Sequence, residues 1–407
     1  VVLTKSFQNI GSTTKALTLA QWIGNRYNNN IHARLIAFLS LLLITFIVLI
    51  CVGLVKILSS ALGASELYVL IGLVVFVFGY TMFGGANSMI NTNAIQASVM
   101  AVVALILLFS GWEYFQNGWM GFWDKINEID PLLSKNYNRK SPLFRDFFEV
   151  VFCNFIIGIA IVAQPHIITK SLMLRSSKDV NKYLMISIIA LMLFFAVLFV
   201  GFYARLMMPE LINGGEKMTM DSIMSVYVIK RFSPWLAVIV VFGMLSAGLS
   251  TLEGLVQSVS TTITNDIILP LSNRDFSENK KKNINKGVIL ILMVITILVS
   301  YDQLVNPNLS VGILAQNGVY LFFSAAFIPI LFGIFIKNVP SQAPLLATIT
   351  AVVIYLSIYY GELTPYYQNV TVKNPAIAGA LAVLGSVIVG VIVLFIYRKK
   401  DKETYVK

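Results

Sequence analysis

GMLSAGLSTLEGLVQSVSTTITND, residues 243–266, runs hydroxyls and small side chains down one side of a helix that is otherwise apolar enough for a membrane. At about 3.6 residues per turn, Ala247, Ser250, Thr251, Gly254 and Ser258 share one face, while Leu245, Leu249, Leu252, Leu255 and Val256 cover much of the rest. The spacing predicts that the small face packs inward. In hydrocarbon, a Ser or Thr hydroxyl is usually satisfied by the carbonyl four residues earlier or by a neighbouring helix, which is the plain packing reading. The adjacent pair Ser250-Thr251, followed by Glu253, supports a second reading. Two hydroxyls plus the carbonyl of Ala247 offer three oxygens to a hard cation such as sodium, which prefers oxygen ligands.

Composition sets the class. Of 407 residues, 57% are apolar and 12% charged, a balance that no water-soluble domain of this size needs. Crossing about 30 Å of hydrocarbon takes roughly 20 residues. Ten stretches approach that length, at 35–58, 67–83, 94–111, 150–168, 183–206, 235–268, 288–301, 311–336, 345–360 and 376–397, the second, seventh and ninth being short. With the amino-terminal side cytoplasmic, 19 of the 30 Lys and Arg residues fall on the inner side, which places both ends of the chain in the cytoplasm of a multi-pass plasma-membrane protein. The formal charge of +11 then reads as attraction to anionic headgroups of the lipid bilayer and not as nucleic-acid binding.

An enzyme finds little support. There are two histidines, His32 and His166, and two cysteines, Cys51 and Cys153, with no cluster at metal-ligand spacing. Glu253 is the one carboxylate well inside a span, and a charge there is costly unless paired, protonated or solvated, so it is a functional candidate beside a plain helix-packing role. Residues 112–146 form the longest polar excursion, with Trp112, Trp119 and Trp123 as an interfacial belt. A second loop, 207–234, carries Gly214-Gly215, and 272–286 is polar and basic. The chain begins with Val1, and residues 1–3 suit the end of an earlier apolar helix, so the expectation is a sequence lacking its beginning.

The order of several motifs resembles the sodium:solute symporter family. Ser250-Thr251-Leu252-Glu253 is similar to its Ser-Thr-x-Asp, and Thr264-Asn265-Asp266 to its Thr-x-Asp. Gln164-Pro165-His166-Ile167, followed by Lys170 and Lys178, resembles its Pro-His-Ile signature. Gly84-Gly85 leading to Thr92-Asn93-Ala94-Ile95-Gln96 resembles a tight inner turn and helix start, and Gln316-Asn317-Gly318-Val319 through Pro329, Gly333 and Lys337 resembles the third-from-last span. The match runs in register from Thr18-Leu19-Ala20-Gln21 onward.

The resemblance implies an all-α integral membrane protein of leucine-transporter type, a five-plus-five inverted repeat with the first helices of repeat one missing. On it, 1–33 is a cytoplasmic segment, 34–111 the last three helices of repeat one, 112–146 an extracytoplasmic loop, 147–336 repeat two, 343–397 two peripheral helices and 398–407 a basic cytoplasmic tail. It assigns sodium to Ala247, Ser250 and Thr251, with Glu253 and Asn93 as auxiliary polar groups. Asn93 stands where the family carries an Asp linked to a second ion, so one sodium per solute is expected. Glu253 is one methylene longer than the family's Asp, and Leu314 replaces a glutamine of sugar-transporting members. Asn154, Gln316 and Asn317 are substrate-binding candidates, with helix packing as their alternative role. The function implied is sodium-coupled symport of a small organic solute, an amino acid, carboxylate or vitamin-like acid, with sodium as coupling ion and no other cofactor. The alternative is a transporter-like sensor domain of a signalling protein. A passive channel ranks third, since no rings of pore-lining residues recur.

Overall fold

Hydrocarbon supplies no hydrogen-bond partners, so each apolar stretch must close its own backbone bonds. The computed structural model describes residues 16–161, 177–272, 276–307, 310–368 and 370–405, and most of that chain is helical. Helix α1 (Leu19–Tyr27) starts at Thr18, whose side chain accepts from Gln21 N, and ends at Asn28 in the left-handed conformation at φ 48°. Helix α2 (Asn30–Ser40) leads through one 3-10 turn into α3 (Ile44–Leu62), closed by Gly63 at φ 63°. Next come α4 (Glu66–Phe109), α5 (Gly118–Ile129), a π-helical turn (Phe148–Cys153) opening α6 (Asn154–Ala160), α7 (Ser177–Ala196) and α8 (Val200–Met207). A two-stranded hairpin, β1 (Ile212–Asn213) and β2 (Glu216–Lys217), turns at Gly214 and Gly215, both at positive φ, and precedes α9 (Ile223–Arg231). Helix α10 (Pro234–Thr262) runs through a π-helical stretch (Ile263–Ile268) into α11 (Leu269–Ser272). Then follow α12 (Glu278–Val305), α13 (Val311–Phe335), α14 (Gln342–Gly361) and α15 (Pro375–Tyr405).

Among the described residues, nine helical segments are long and apolar enough to cross a membrane. The sequence predicts ten; the remaining stretch, 150–168, is described only to residue 161, with Phe148–Ala160 a shorter apolar helix. Two stretches that read as short, 288–301 and 345–360, lie inside helices of 28 and 20 residues. Helix α12 gains its length because the basic loop residues from Glu278 onward are already helical.

The backbone is helical from Glu66 to Phe109, but at 1.5 Å per residue the two membrane spans it contains, Glu66–Phe83 and Thr92–Phe109, do not share one straight axis. The contacts of the two spans require the chain to reverse between Phe83 and Thr92, where the sequence places a tight turn. Glu66 pairs with Lys56 near the end of α3, the Phe83 ring meets Lys286 at the start of α12, and Val103 lies against Gly243 near the start of α10. Just past α4, Ser110 bonds Tyr227 at 2.7 Å. Both termini of α4 therefore lie at the Tyr227 end of the bundle and its middle at the opposite end, so its two spans, Glu66–Phe83 and Thr92–Phe109, run antiparallel.

Helix α13 is the most enclosed span, with 78% of its apolar window buried. Its Pro329 has no N–H, which orphans the Ala325 carbonyl one turn back. That carbonyl accepts from Thr348 Oγ1 on α14 at 2.9 Å, and Thr348 in turn lies 3.0 Å from His32 Nε2 on α2. With the Thr348 proton already given away, His32 Nε2 is the donor of this pair. At the far end Arg26 caps the helix, donating to the Gly333 carbonyl at 2.8 Å and to that of Ile336 at 2.6 Å. Gly318 is required where α13 crosses the 3-10 turn that leads into α3, because a Cβ there would sit 2.8 Å from the Leu42 carbonyl oxygen.

Candidate functional site

The close approach of α10 to its neighbours is set by two glycines. Gly243 lies against Val103 of α4 and Gly248 against Leu54 of α3, where any Cβ would collide. This fixes the turn between them and the hydroxyl pair that follows. Ser250 Oγ donates to the Ala247 carbonyl at 3.0 Å and Thr251 Oγ1 to the same carbonyl at 3.3 Å. The three expected ligand oxygens therefore form one cluster. They satisfy one another in the helix-packing manner; rotation of the two hydroxyl protons away from the Ala247 carbonyl would leave all three oxygens able to accept. A hard cation takes about six oxygens, so roughly half of its shell would come from elsewhere.

The small face is only partly buried, less than its spacing predicts. Ala247, Ser250, Thr251, Gly254 and Ser258 are all partly buried, and nothing lies within 4 Å of a Cβ built on Gly254. The leucine face is the buried one, with Leu252, Leu255, Val256 and Val259 in the main core. Larger apolar side chains give more free energy on burial, and here they win the interior from the hydroxyls. Glu253 goes with the leucines: it is 3% exposed and its Oε2 has no hydrogen-bond partner among the described residues. It is thus turned away from Ser250 and Thr251.

Two motifs far apart in the sequence do meet. The Asp266 side chain is hydrogen-bonded by Thr18 and Gln21 at the start of α1, and Thr264 Oγ1 donates to Asn285 Oδ1 of α12 at 3.0 Å. The substrate candidates do not join the ion candidates. Asn154 is exposed, and its Nδ2 donates to the Glu149 and Val150 carbonyls of the π-helical turn. Gln316 is exposed as well. Asn317 faces α14, donating to Tyr360 and accepting from Tyr355 at 2.9 Å. Asn93 is half-buried on α4 with its Oδ1 unpartnered among the described residues. Gln164, Pro165, His166, Ile167 and Lys170 lie outside the described residues.

Sequence reasoning missed a polar knot at the start of α6. Glu149, fully buried, accepts from Arg145 through Nε at 2.8 Å and Nη2 at 2.6 Å, and Asn374 reaches it from the segment before α15. Arg145 also donates to the Tyr366 carbonyl, and the Tyr366 hydroxyl donates to Asp146 at 2.6 Å. The i, i+4 spacing of Arg145 and Glu149 at the mouth of a span was the available signal.

Among the described residues no group of three His, Cys, Asp or Glu side chains is placed to hold a metal. A family model described as the sodium:solute symporter family matches residues 1–351. The chain belongs to the sodium:solute symporter family. It is similar to the sodium/pantothenate symporter of Haemophilus influenzae, 26% identical over 318 residues, which are 75% of this chain and 62% of that protein. The chain thus spans less than two thirds of that symporter. It is also similar to the sodium/glucose cotransporter of Vibrio parahaemolyticus, 22% identical over 390 residues, 84% of this chain and 70% of that one. A solved structure of a Na+-coupled sialic acid symporter in a substrate-bound outward-open state superposes with a TM-score of 0.75 at 18% identity, over 97% of this chain and 79% of that one. That likeness shows the leucine-transporter-type helical fold, and with the apolar spans it makes this symporter-family chain a multi-pass membrane protein.

Proposed function

We propose that this chain performs sodium-coupled symport of a small organic solute by alternating access in the cell membrane, with both ends cytoplasmic. The carrying observation is the convergence of the Ala247 carbonyl with the Ser250 and Thr251 hydroxyls on the partly buried face of α10. Sodium bound there favours one conformation, solute arrival favours closure, and the difference in affinity between the two states supplies the coupling. One sodium moves per solute, because Asn93 is neutral and cannot trade a proton. The solute is an amino acid, carboxylate or vitamin-like acid: Leu314 offers no hydrogen bond where sugar-transporting members carry a glutamine, and the relative with the higher identity carries pantothenate, an acid. The test is counterflow of a labelled solute panel into proteoliposomes, with sodium or choline as the cation. Sodium-dependent counterflow of an organic acid is expected. Counterflow indifferent to sodium across the panel would overturn the reading.

A further inference from the structure

A cavity of about 790 Å³ opens at the Arg26 end, between the start of α1, the middle of α4, the end of α10 and the first turns of α12. Thr261, Asn285, Lys282 and Lys286 give it a lining rich in hydrogen-bond donors. Its charges do not cancel. Glu278, the lining's one carboxylate, is taken by Lys281 at 2.8 Å. Lys282 and Lys286 make no ion pair among the described residues. Lys286 is moreover half-buried, its ammonium held 4.9 Å from the centre of the Phe83 ring. A cation over an aromatic face is attracted, but less than by a counter-ion, and an ammonium drawn partly out of water gains most from an anion beside it.

The neutral groups are oriented to help. Because Asn285 Oδ1 accepts from Thr264, its Nδ2 is left to donate, one residue before Lys286. Because Thr261 Oγ1 accepts from Gln257 Nε2 at 3.3 Å, its own proton is left to donate from the facing wall. We propose that this cavity binds an oxyanion, a carboxylate or phosphate group, held by Lys286 and Lys282 with Asn285 and Thr261 donating beside them. The site needs no ion gradient and stands independently of the transport reading. Two sources carry this chemistry: a free small anion and the headgroup of an anionic lipid.

The experiment is thermal unfolding of the purified protein in neutral detergent at constant sodium and ionic strength. One arm adds inorganic phosphate in place of chloride; the other adds dihexanoyl phosphatidylglycerol, with dihexanoyl phosphatidylcholine as control. A saturable rise in Tm is expected in at least one arm, with phosphate assigning a free anion and a response to the glycerol lipid alone assigning a headgroup. Lys286→Gln, which removes a charge-assisted hydrogen bond, should weaken the apparent affinity about tenfold to a hundredfold. Lys282→Gln, at an exposed position, should fold normally and weaken it as well, and Lys280→Gln, exposed and outside the lining, should leave it unchanged. No response in either arm, or unchanged affinity in both Lys286→Gln and Lys282→Gln, would overturn the assignment.

Discussion

Removing the hydroxyl of Ser250 or of Thr251 should weaken sodium activation of transport while leaving the protein folded. Each hydroxyl has one described bond, to the Ala247 carbonyl on its own helix, and each side chain is partly buried. Its loss should therefore cost the fold no more than about 1 kcal/mol. The ion sees a larger change. Three oxygens come from α10, so each alanine removes a third of that contribution, and the lost charge-assisted contact is on the order of 1.5–3 kcal/mol, or roughly tenfold to a hundredfold in half-saturating sodium. Ser260→Ala is the matched control, since Ser260 bonds back to the Gln257 carbonyl in the same manner but lies about 15 Å farther along the helix. The assay is initial uptake against sodium concentration in proteoliposomes, with Tm recorded for each variant. If half-saturating sodium were unchanged in both Ser250→Ala and Thr251→Ala, or rose equally in Ser260→Ala, the cluster would not be the ion site.

Reversal potentials should give one sodium per solute, and a ratio of two would contradict the role assigned to neutral Asn93. Thr348→Val should lower stability by about 1–3 kcal/mol, because it strands the Ala325 carbonyl freed by Pro329 and leaves the His32 Nε2 donor unpaired; an unchanged unfolding midpoint in denaturant would refute this. At the start of α6, burial acts to raise the Asp146 carboxyl, yet the Tyr366 hydroxyl and the backbone N–H groups of Glu149 and Phe148 hold it below its ordinary range. The same bond pushes the Tyr366 hydroxyl up to about 12. A depressed carboxylate contributes stability that is present above its unfolded pKa and lost as pH falls through the folded one. Acid unfolding should therefore be less steep in Tyr366→Phe than in the parent, and Tm curves between pH 3 and pH 7 that stay parallel would show that the bond carries no such linkage.

The spans were legible because membrane composition is a property of each stretch alone, and so was the local cluster at Ala247, Ser250 and Thr251, whose geometry one helix turn dictates. What faced inward was not. A helical wheel ranks polar against apolar faces without knowing which neighbours arrive, and on α10 the leucines take the core while the small face is only partly buried. Gly243 and Gly248 carried more information than the stripe did, since their contacts with Val103 and Leu54 fix where α4 and α3 approach. Groups whose partners come from distant sequence were illegible for the same reason. Asn317 reads as a polar residue in a span, yet Tyr355 and Tyr360 on α14 decide that it faces the periphery.

The strongest sequence signals proved to be residues that break a backbone rule, because the broken bond must be repaired somewhere specific. Pro329 frees the Ala325 carbonyl, and its repair runs through Thr348 to His32, tying α13 to α14 and α2. Just past the π-helical turn at Phe148–Cys153, the Asn154 amide donates to the Glu149 and Val150 carbonyls, tying that turn to the start of α6. Ser250 and Thr251 differ from these in one respect that bears on function. No backbone defect needs their hydroxyls, since the Ala247 carbonyl sits inside a regular helix, and Gly254 on the same face leaves open space beside the next turn. Polar groups that the fold does not require, placed on the open face of a helix otherwise gripped by its neighbours, remain free to serve a ligand; that distinction, more than residue type, separates the candidate ion oxygens from the structural polar groups of this chain.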